Sequence, residues 1–445
     1  MSALPAAPAA APAGSGLVRG IRRWDLFALM VNGTIGAGIF GLPSKVYALV
    51  GPWSLLAFVA CGAIVALVLL CFAEVGSRFE RTGGPYLYAR AAFGSLIGFE
   101  VGWLLWLVRL TSFAALCNLL VSYLHVLWPA ADAPSWRIVV IVAVTTTLAS
   151  INLAGVRNAA LAGNVFTIGK LVPLVVLIAV GLGALAPNRL ALGAPPEPGS
   201  FAKAMLLLVF AFTGFELAII PGGEVRDPRR NMPWALLSGL GLVAVVYILI
   251  QVVCVGTLPA LAGSERPLTD AAARALGPAG GTLLAVGALV SITGSLSATM
   301  LAAPRLPFAM AEWGELPRVL AATHPRFHTP WMAILLSSAL MLWLALSSSF
   351  LGALTISTVI RLLTYVATCI ALLVLRRRRR VPEAAFRAPA GGVIAILAVL
   401  ACTWLLTSIS GREVRITAIA AALGLVLYAV RRWAAGARTG GYAGE

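Results

Sequence analysis

Twelve times along its length the chain runs for about 20 residues through almost nothing but apolar side chains, the length a helix needs to cross a bilayer. The runs are 25–49, 53–77, 95–128, 136–154, 161–186, 201–221, 233–256, 281–303, 330–347, 350–375, 392–410 and 414–433, numbered here as spans 1 to 12. In hydrocarbon every backbone N–H and C=O must find its partner inside the protein, and for segments of this length a helix is the solution. The expected fold class is therefore an all-α membrane protein with twelve transmembrane helices. Composition agrees: 60% of residues are hydrophobic and 11% are charged, against about 25% charged in soluble domains. Residues 257–280 are too polar to span, and Thr269–Leu276 reads as a short surface helix.

The net charge of +17 would suit a nucleic-acid binder, but the arginines sit in short loops between apolar runs. With the N-terminus inside, 22 of the 33 basic residues fall on the cytoplasmic side, eight fall outside, and Arg109, Lys170 and Arg361 lie within spans. That asymmetry orients both termini to the cytoplasm of a multi-pass protein in the cell membrane. The run Arg376–Arg380 reads as a surface anchor beside anionic membrane lipid, and no nucleic-acid partner is expected. Residues 1–20, rich in Ala, Pro and Gly, read as a disordered cytoplasmic tail, and 434–445 as a second tail. The six cysteines lie in or near apolar runs without a CxxC or a Cys/His cluster, so neither a disulfide framework, a metal site nor a cofactor is expected. The three histidines, His125, His324 and His328, suggest no role.

Two spans are ill-suited to remain intact. Span 1 contains Asn32-Gly33-Thr34-Ile35-Gly36-Ala37-Gly38-Ile39-Phe40-Gly41-Leu42-Pro43, with four glycines and a proline; each glycine weakens a helix by about 1 kcal/mol and proline by about 3. Span 6 contains Thr213-Gly214-Phe215-Glu216, and Gly214 precedes Pro221 by seven residues, as Gly36 precedes Pro43. Unwound backbone at membrane depth survives only where protein or a water-filled cavity surrounds it, and paired interruptions in two halves point to a transporter's binding site. This divides the chain into a first repeat of five helices (21–186), an inverted second repeat (200–380) and two further helices (390–433).

The chemistry follows from the breaks. N–H groups near Gly36, Ala37 and Gly38 stand at the positive end of the outer half-helix and suit a carboxylate; close helix packing through glycine is the other reading of the same residues. Carbonyls freed at the break of span 6 suit an ammonium, so together the two breaks fit a zwitterionic amino acid. Phe212 and Phe215 either wall a side-chain pocket or belong to the core. Glu216 is the only acid in span 6, and such a carboxylate is either paired with Arg109 or Arg361 or takes part in function. Lys170 is either a proton carrier near a cavity or a fixed cation bridging carbonyls. Arg109 and Arg361 do not deprotonate and read as fixed partners for Glu216 or Glu100.

Three motifs in order, the stretch Gly33–Phe40, Phe72-Ala73-Glu74-Val75-Gly76-Ser77-Arg78-Phe79-Glu80-Arg81-Thr82-Gly83-Gly84-Pro85-Tyr86-Leu87-Tyr88, and Glu224-Val225-Arg226-Asp227-Pro228-Arg229-Arg230-Asn231-Met232-Pro233, resemble the signatures of the amino acid–polyamine–organocation permeases. The resemblance implies the leucine-transporter fold, in which helices 1, 2, 6 and 7 move against a scaffold of 3, 4, 8 and 9. It implies a substrate carboxylate on the backbone of Thr34, Ile35, Gly36, Ala37 and Gly38, and an amine on the carbonyls of Phe210, Ala211 and Thr213, with Phe215 beside them. It also implies that Lys170 stands in place of a sodium ion beside Ser291, Thr293 and Ser295, which argues against sodium coupling and leaves proton symport and exchange both open. Glu216 matches a glutamate implicated in pH response in an arginine/agmatine exchanger branch. The loop Pro129–Ser135 has no cysteine, so a disulfide-linked heavy chain is not expected. The expected function is secondary amino acid transport by alternating access, with Lys170, Glu216 and Ser295 in coupling. The rivals are exchange of amino acids or amines without proton coupling, and a channel-like or receptor-like protein that does not cycle. A membrane enzyme fares worst, because no nucleophile–His pair, metal cluster or phosphate loop is visible.

Overall fold

The computed structural model describes residues 16–36, 38–347, 350–378, 381–407, 409 and 411–440. Ala37, Arg379, Arg380 and most of the expected N-terminal tail thus lie outside the described residues. In order the helices are α1 (Arg23–Thr34), α2 (Gly38–Val50), α3 (Ser54–Gly76), α4 (Pro85–Phe93), α5 (Ser95–Leu127), α6 (Pro134–Leu153), α7 (Val156–Gly183), α8 (Pro198–Phe212) and α9 (Glu216–Ile219). They continue with α10 (Pro228–Thr257), α11 (Pro267–Leu276), α12 (Pro278–Ala302), α13 (Arg305–Glu312), α14 (Trp331–Ser347), α15 (Phe350–Arg377), α16 (Gly391–Leu406) and α17 (Gly411–Gly440). Among the described residues there is no strand, only an isolated bridge between Ile21 and Val225. Among the described residues nine helical stretches are long and apolar enough to cross a membrane, and α14 and α16 are shorter apolar helices.

The interruption in the first span is narrower than the glycine run. Helix α1 stops at Thr34 and α2 begins at Gly38, so Pro43 lies inside α2. It is the sixth residue of α2, so the helix forgoes the hydrogen bond that an N–H there would make to the Ile39 carbonyl. The sixth span breaks at Thr213–Phe215, with Gly214 at φ +110°, a value that favours glycine. Pro221 stands outside helix, just before a 3₁₀ turn at Gly222–Glu224.

Two helical pieces differ from the sequence reading. Residues 78–94 lie between the expected spans 2 and 3, but they contain α4, which starts on Pro85 and is capped by Gly94 (φ +97°). Its Tyr86 and Tyr88 are buried, and the Tyr88 ring packs on Phe72 and Phe79. At nine residues this helix is too short to register as a span. Helix α17 passes the expected end of span 12 and continues to Gly440.

Helix α1 packs against α7, α10 and α12 and touches α9; α5 packs against α4, α12, α14 and α15. The interruptions are therefore surrounded by protein. The face carrying the start of α1 is closed by buried polar links. Arg305 donates to both carboxylate oxygens of Glu224 at 2.7 and 3.0 Å and to Asn152 at 2.8 Å, with both ionic partners wholly buried. Asp25 accepts from Arg157 and from Asn164. The Ile21 N–H donates to the Glu224 carbonyl and the Arg226 N–H to that of Ile21, each at 2.9 Å.

Candidate functional site

The two interruptions meet. A Cβ on Gly33 would lie 2.7 Å from the Gly214 carbonyl oxygen, and one on Gly214 would collide with the Gly33 carbonyl. These two glycines let backbone touch backbone, the packing reading of their sequence context. Gly38 also permits a close approach, a Cβ there lying 3.1 Å from the Ala211 backbone, whereas Gly36 and Gly41 serve differently. A Cβ on Gly36 would find only the Ser295 hydroxyl, at 3.3 Å, and one on Gly41 would find open space within 4 Å. Small residues thus keep one side of the α1–α2 junction accessible. The Gly36 N–H folds back onto the Thr34 carbonyl at 2.9 Å, while α2 starts two residues later.

Lys170, on α7, is wholly buried. Its ammonium donates to the carbonyls of Asn32 (3.0 Å), Ile35 (2.6 Å) and Ser291 (3.2 Å). Three N–H donors meet three acceptors, two from the α1 break and one from α12. An ammonium has three donors and no acceptor, so this cradle suits the charged form. Ser291 and Ser295 repeat the pattern with neutral donors: the first donates to Ile35 at 3.2 Å, and the second to Asn32 at 3.3 Å and to Ser291 at 3.1 Å. Asn32 in turn donates to the Gly294 carbonyl at 2.8 Å. Among the described residues no carboxylate forms an ion pair with Lys170.

Glu216 is held in the opposite manner. Arg109 of α5 donates to its Oε1 at 2.8 Å, and Arg361 of α15 lies 3.1 Å from the same oxygen. Oε2 accepts from Tyr365 at 3.2 Å and from the Gly214 N–H at 3.0 Å. Both arginines therefore pair with Glu216, and neither with Glu100. The Glu100 carboxylate has no hydrogen-bond partner among the described residues and faces Gly424 of α17.

Thr213 caps the end of α8, its hydroxyl donating to the Phe210 carbonyl at 2.8 Å. The Ala211 carbonyl lies 3.1 Å from the Tyr247 hydroxyl, and that of Thr34 lies 2.9 Å from the same hydroxyl. Phe212 and Phe215 are wholly buried. Phe215 sits between the rings of Phe72 and Tyr365, with centroids at 5.3 and 5.2 Å, and Phe212 packs on Tyr247 at 5.0 Å. Sequence reading missed Tyr247 and Tyr365. A tyrosine in an apolar helix must place its hydroxyl somewhere, but nothing local says where.

A chain whose described residues are helical, with nine apolar stretches of spanning length among them and two interrupted helices joined at a buried polar centre, is an integral membrane protein of the transporter class. The amino acid permease family matches residues 21–428, and the chain belongs to that family. It is similar to the serine/threonine exchanger SteT of Bacillus subtilis, with 33% identity over 399 residues, covering 86% of this chain and 90% of the relative. It is similar to a methylthioribose transporter of the same organism, with 28% identity over 417 residues, covering 89% of each. It is also similar to the mouse cationic amino acid transporter 4, with 27% identity over 386 residues, covering 80% of this chain and 60% of the relative.

Proposed function

We propose that the protein carries a neutral amino acid across the cell membrane by alternating access, without sodium and coupled to protons through Lys170. In this reading twelve crossings form two inverted five-helix repeats plus two further helices, with both termini in the cytoplasm. The substrate carboxylate docks at the start of α2, on backbone from Thr34, Ile35, Gly36, Ala37 and Gly38, where the Ile35 and Gly36 N–H groups must first leave the Val31 and Thr34 carbonyls that they engage here. Its ammonium docks on the carbonyls of Phe210, Ala211 and Thr213, and Phe215 backs the pocket. Each carbonyl oxygen has two lone pairs, so Phe210 and Ala211 can accept again while keeping their present donors.

The observation that carries the reading is the Lys170 cradle. The ammonium grips the carbonyls on which the α1 break depends, so loss of its proton frees that break to move. Ser295 and Ser291 keep a weaker hold on the same carbonyls. Glu216, also expected in coupling, is engaged by two arginines, a tyrosine and a backbone N–H, and in this reading it anchors the other break without changing its protonation. That engagement favours a neutral substrate, because the cluster has one positive charge in excess and offers no free carboxylate to a cationic side chain. The buried links that close the face bearing the start of α1 suit a state open to the opposite side.

The test is uptake into proteoliposomes across a panel of amino acids, polyamines and methylthioribose, with and without an inward proton gradient. Accumulation of a neutral amino acid that follows the proton gradient and ignores sodium is expected. Absence of uptake, counterflow and binding for every compound would sink the reading. A second reading, obligatory exchange without net proton movement, has the exchanger among the relatives in its favour. Uptake that requires internal amino acid and ignores the proton gradient selects it.

A further inference from the structure

Away from the interruptions, a cavity of about 550 Å³ opens where the end of α3, the end of α15 and the segment 381–390 come together. Arg78, Arg376, Arg378 and Arg387 line it, with Glu74 and Glu383 as the acids, so two positive charges remain uncompensated. Glu74 is already committed: it accepts from Arg376 at 2.7 and 2.6 Å and from the Ala388 N–H at 2.8 Å, and Arg78 lies 3.5 Å away. Glu383 and Arg387 are 3.7 Å apart and both largely exposed, which makes a weak pair. Arg378 donates to the Ala91 carbonyl at 2.8 Å and forms no ion pair among the described residues.

The cavity has a built wall. Segment 381–390 is tied to the end of α3 and the start of α10. The Phe386 N–H donates to the Ser77 hydroxyl at 3.1 Å, and Arg78 donates to the Pro382 carbonyl at 3.1 Å. Arg229 donates to the carbonyls of Ser77 and Glu383. The volume lies within the range of small-ligand sites, about 300–1,000 Å³. Guanidinium forks in such a number match the oxygens of a phosphate.

The position selects the source of that phosphate. The apolar stretch of α15 is long enough to span and ends at Arg377, and the basic run that follows belongs at the headgroup level. Directly after the segment, α16 exposes a column of Val393, Ile396, Leu397 and Leu400. Acyl chains can lie along that column while a headgroup enters the cavity. We propose that this cavity binds the headgroup of an anionic phospholipid, which bridges α3, α15 and the segment between α15 and α16. It is a defined site, narrower in meaning than a basic run lying against a charged surface.

The probes are phosphatidylglycerol and phosphatidylcholine, offered in equal amounts to the full-length protein in detergent and read by native mass spectrometry. Each basic residue near an anionic surface contributes about 1 kcal/mol, a factor of about five. Wild type should retain phosphatidylglycerol over phosphatidylcholine by fivefold or more. The double variant Arg378→Gln/Arg387→Gln should lose most of that preference, whereas Arg318→Gln/Arg326→Gln, on exposed arginines outside the cavity, should keep it. Inorganic phosphate and glycerol 3-phosphate at 10 mM should neither displace the lipid nor raise the melting temperature. Equal retention of the two lipids by wild type, or an unchanged preference in the first double variant, overturns the proposal. Displacement by the soluble phosphates also overturns it, in favour of a free phosphate ligand. The wild-type comparison decides the matter even where a variant fails to fold.

Discussion

Lys170 and Glu216 are both wholly buried charges near the paired interruptions, yet they are held in opposite ways. Lys170 rests on three carbonyl dipoles and faces no counter-charge in an ion pair. Glu216 faces two arginines, a tyrosine and a backbone N–H. Loss of the Lys170 proton strands no opposite charge, since a neutral amine among carbonyls leaves only dipoles behind. Neutralisation of Glu216 would leave two buried guanidinium groups side by side without their counter-charge. A charge held by dipoles can therefore come and go with the conformation, whereas one held by ions rivets the helices that supply them. The lesson is that the partners of a buried charge, more than its burial, decide whether it can work as a switch.

Glu216→Gln breaks the rivet directly. Removing one member of a buried ion cluster costs about 3–5 kcal/mol, because the remaining charges stay buried and uncompensated. The expected result is a large fall in melting temperature of the detergent-solubilised protein. Combining it with Arg361→Leu should cost much less than the sum of the single changes, a coupling that a double-mutant cycle reads out. Additive losses would show that Glu216 and Arg361 act independently.

Lys170→Ala tests the other half of the comparison. Three carbonyls lose a donor, but Ile35 and Asn32 keep those from Ser291 and Ser295. The variant should stay folded and lose accumulation driven by a pH gradient by tenfold or more, with exchange or binding partly retained. Unchanged pH-driven accumulation would remove Lys170 from coupling and leave it as a fixed brace.

Glu315 provides an intermediate case outside the membrane spans. It has one arginine where Glu216 has two: Arg90 at 2.8 Å, with the Tyr86 hydroxyl also donating at 2.8 Å. Burial outweighs these partners and pushes its carboxyl up to about 7 from an ordinary 4.5. The folded state then holds the proton more tightly than the unfolded state. The stabilising effect of that proton is complete below about 4.5 and is lost as pH rises through about 7, a change of at most about 3 kcal/mol. Glu315→Gln should match wild type in stability near pH 4.5 and exceed it above pH 7.5. Parallel stability–pH curves for the two proteins would mean that the single arginine suffices.

The sequence was most legible where composition itself carries the constraint. Glycine crowding marked the first interruption, the matching Gly214–Pro221 spacing marked the second, and an isolated lysine inside an apolar run marked the cradle. Glu216 was readable as a paired acid, but local sequence could not choose between Arg109 and Arg361. The structure uses both, since one carboxylate oxygen accepts from two donors. Gly33 read only as one of a run of glycines, yet it lies against Gly214, a contact across 181 positions that no local pattern encodes. Helix α4 escaped notice because a helix of nine residues lacks the length of a span and a long period.

Tyr247 is the element that joins the two interruptions, and its hydroxyl gives the smallest but most discriminating prediction. One proton serves two acceptors, the carbonyls of Thr34 at 2.9 Å and Ala211 at 3.1 Å. Only one can be engaged at a time, so the hydroxyl is a shared and replaceable clasp, unlike the threefold hold of Lys170. Tyr247→Phe keeps the ring, which packs on Phe58 and Phe212, and removes one neutral hydrogen bond worth about 1 kcal/mol. Stability should fall by that amount. If the two breaks part during transport, the lost clasp raises the rate of substrate exchange severalfold at unchanged proton dependence. A slower exchange rate would instead mean that the hydroxyl holds substrate, and that the α1–α8 junction is a binding surface where it is read here as a hinge.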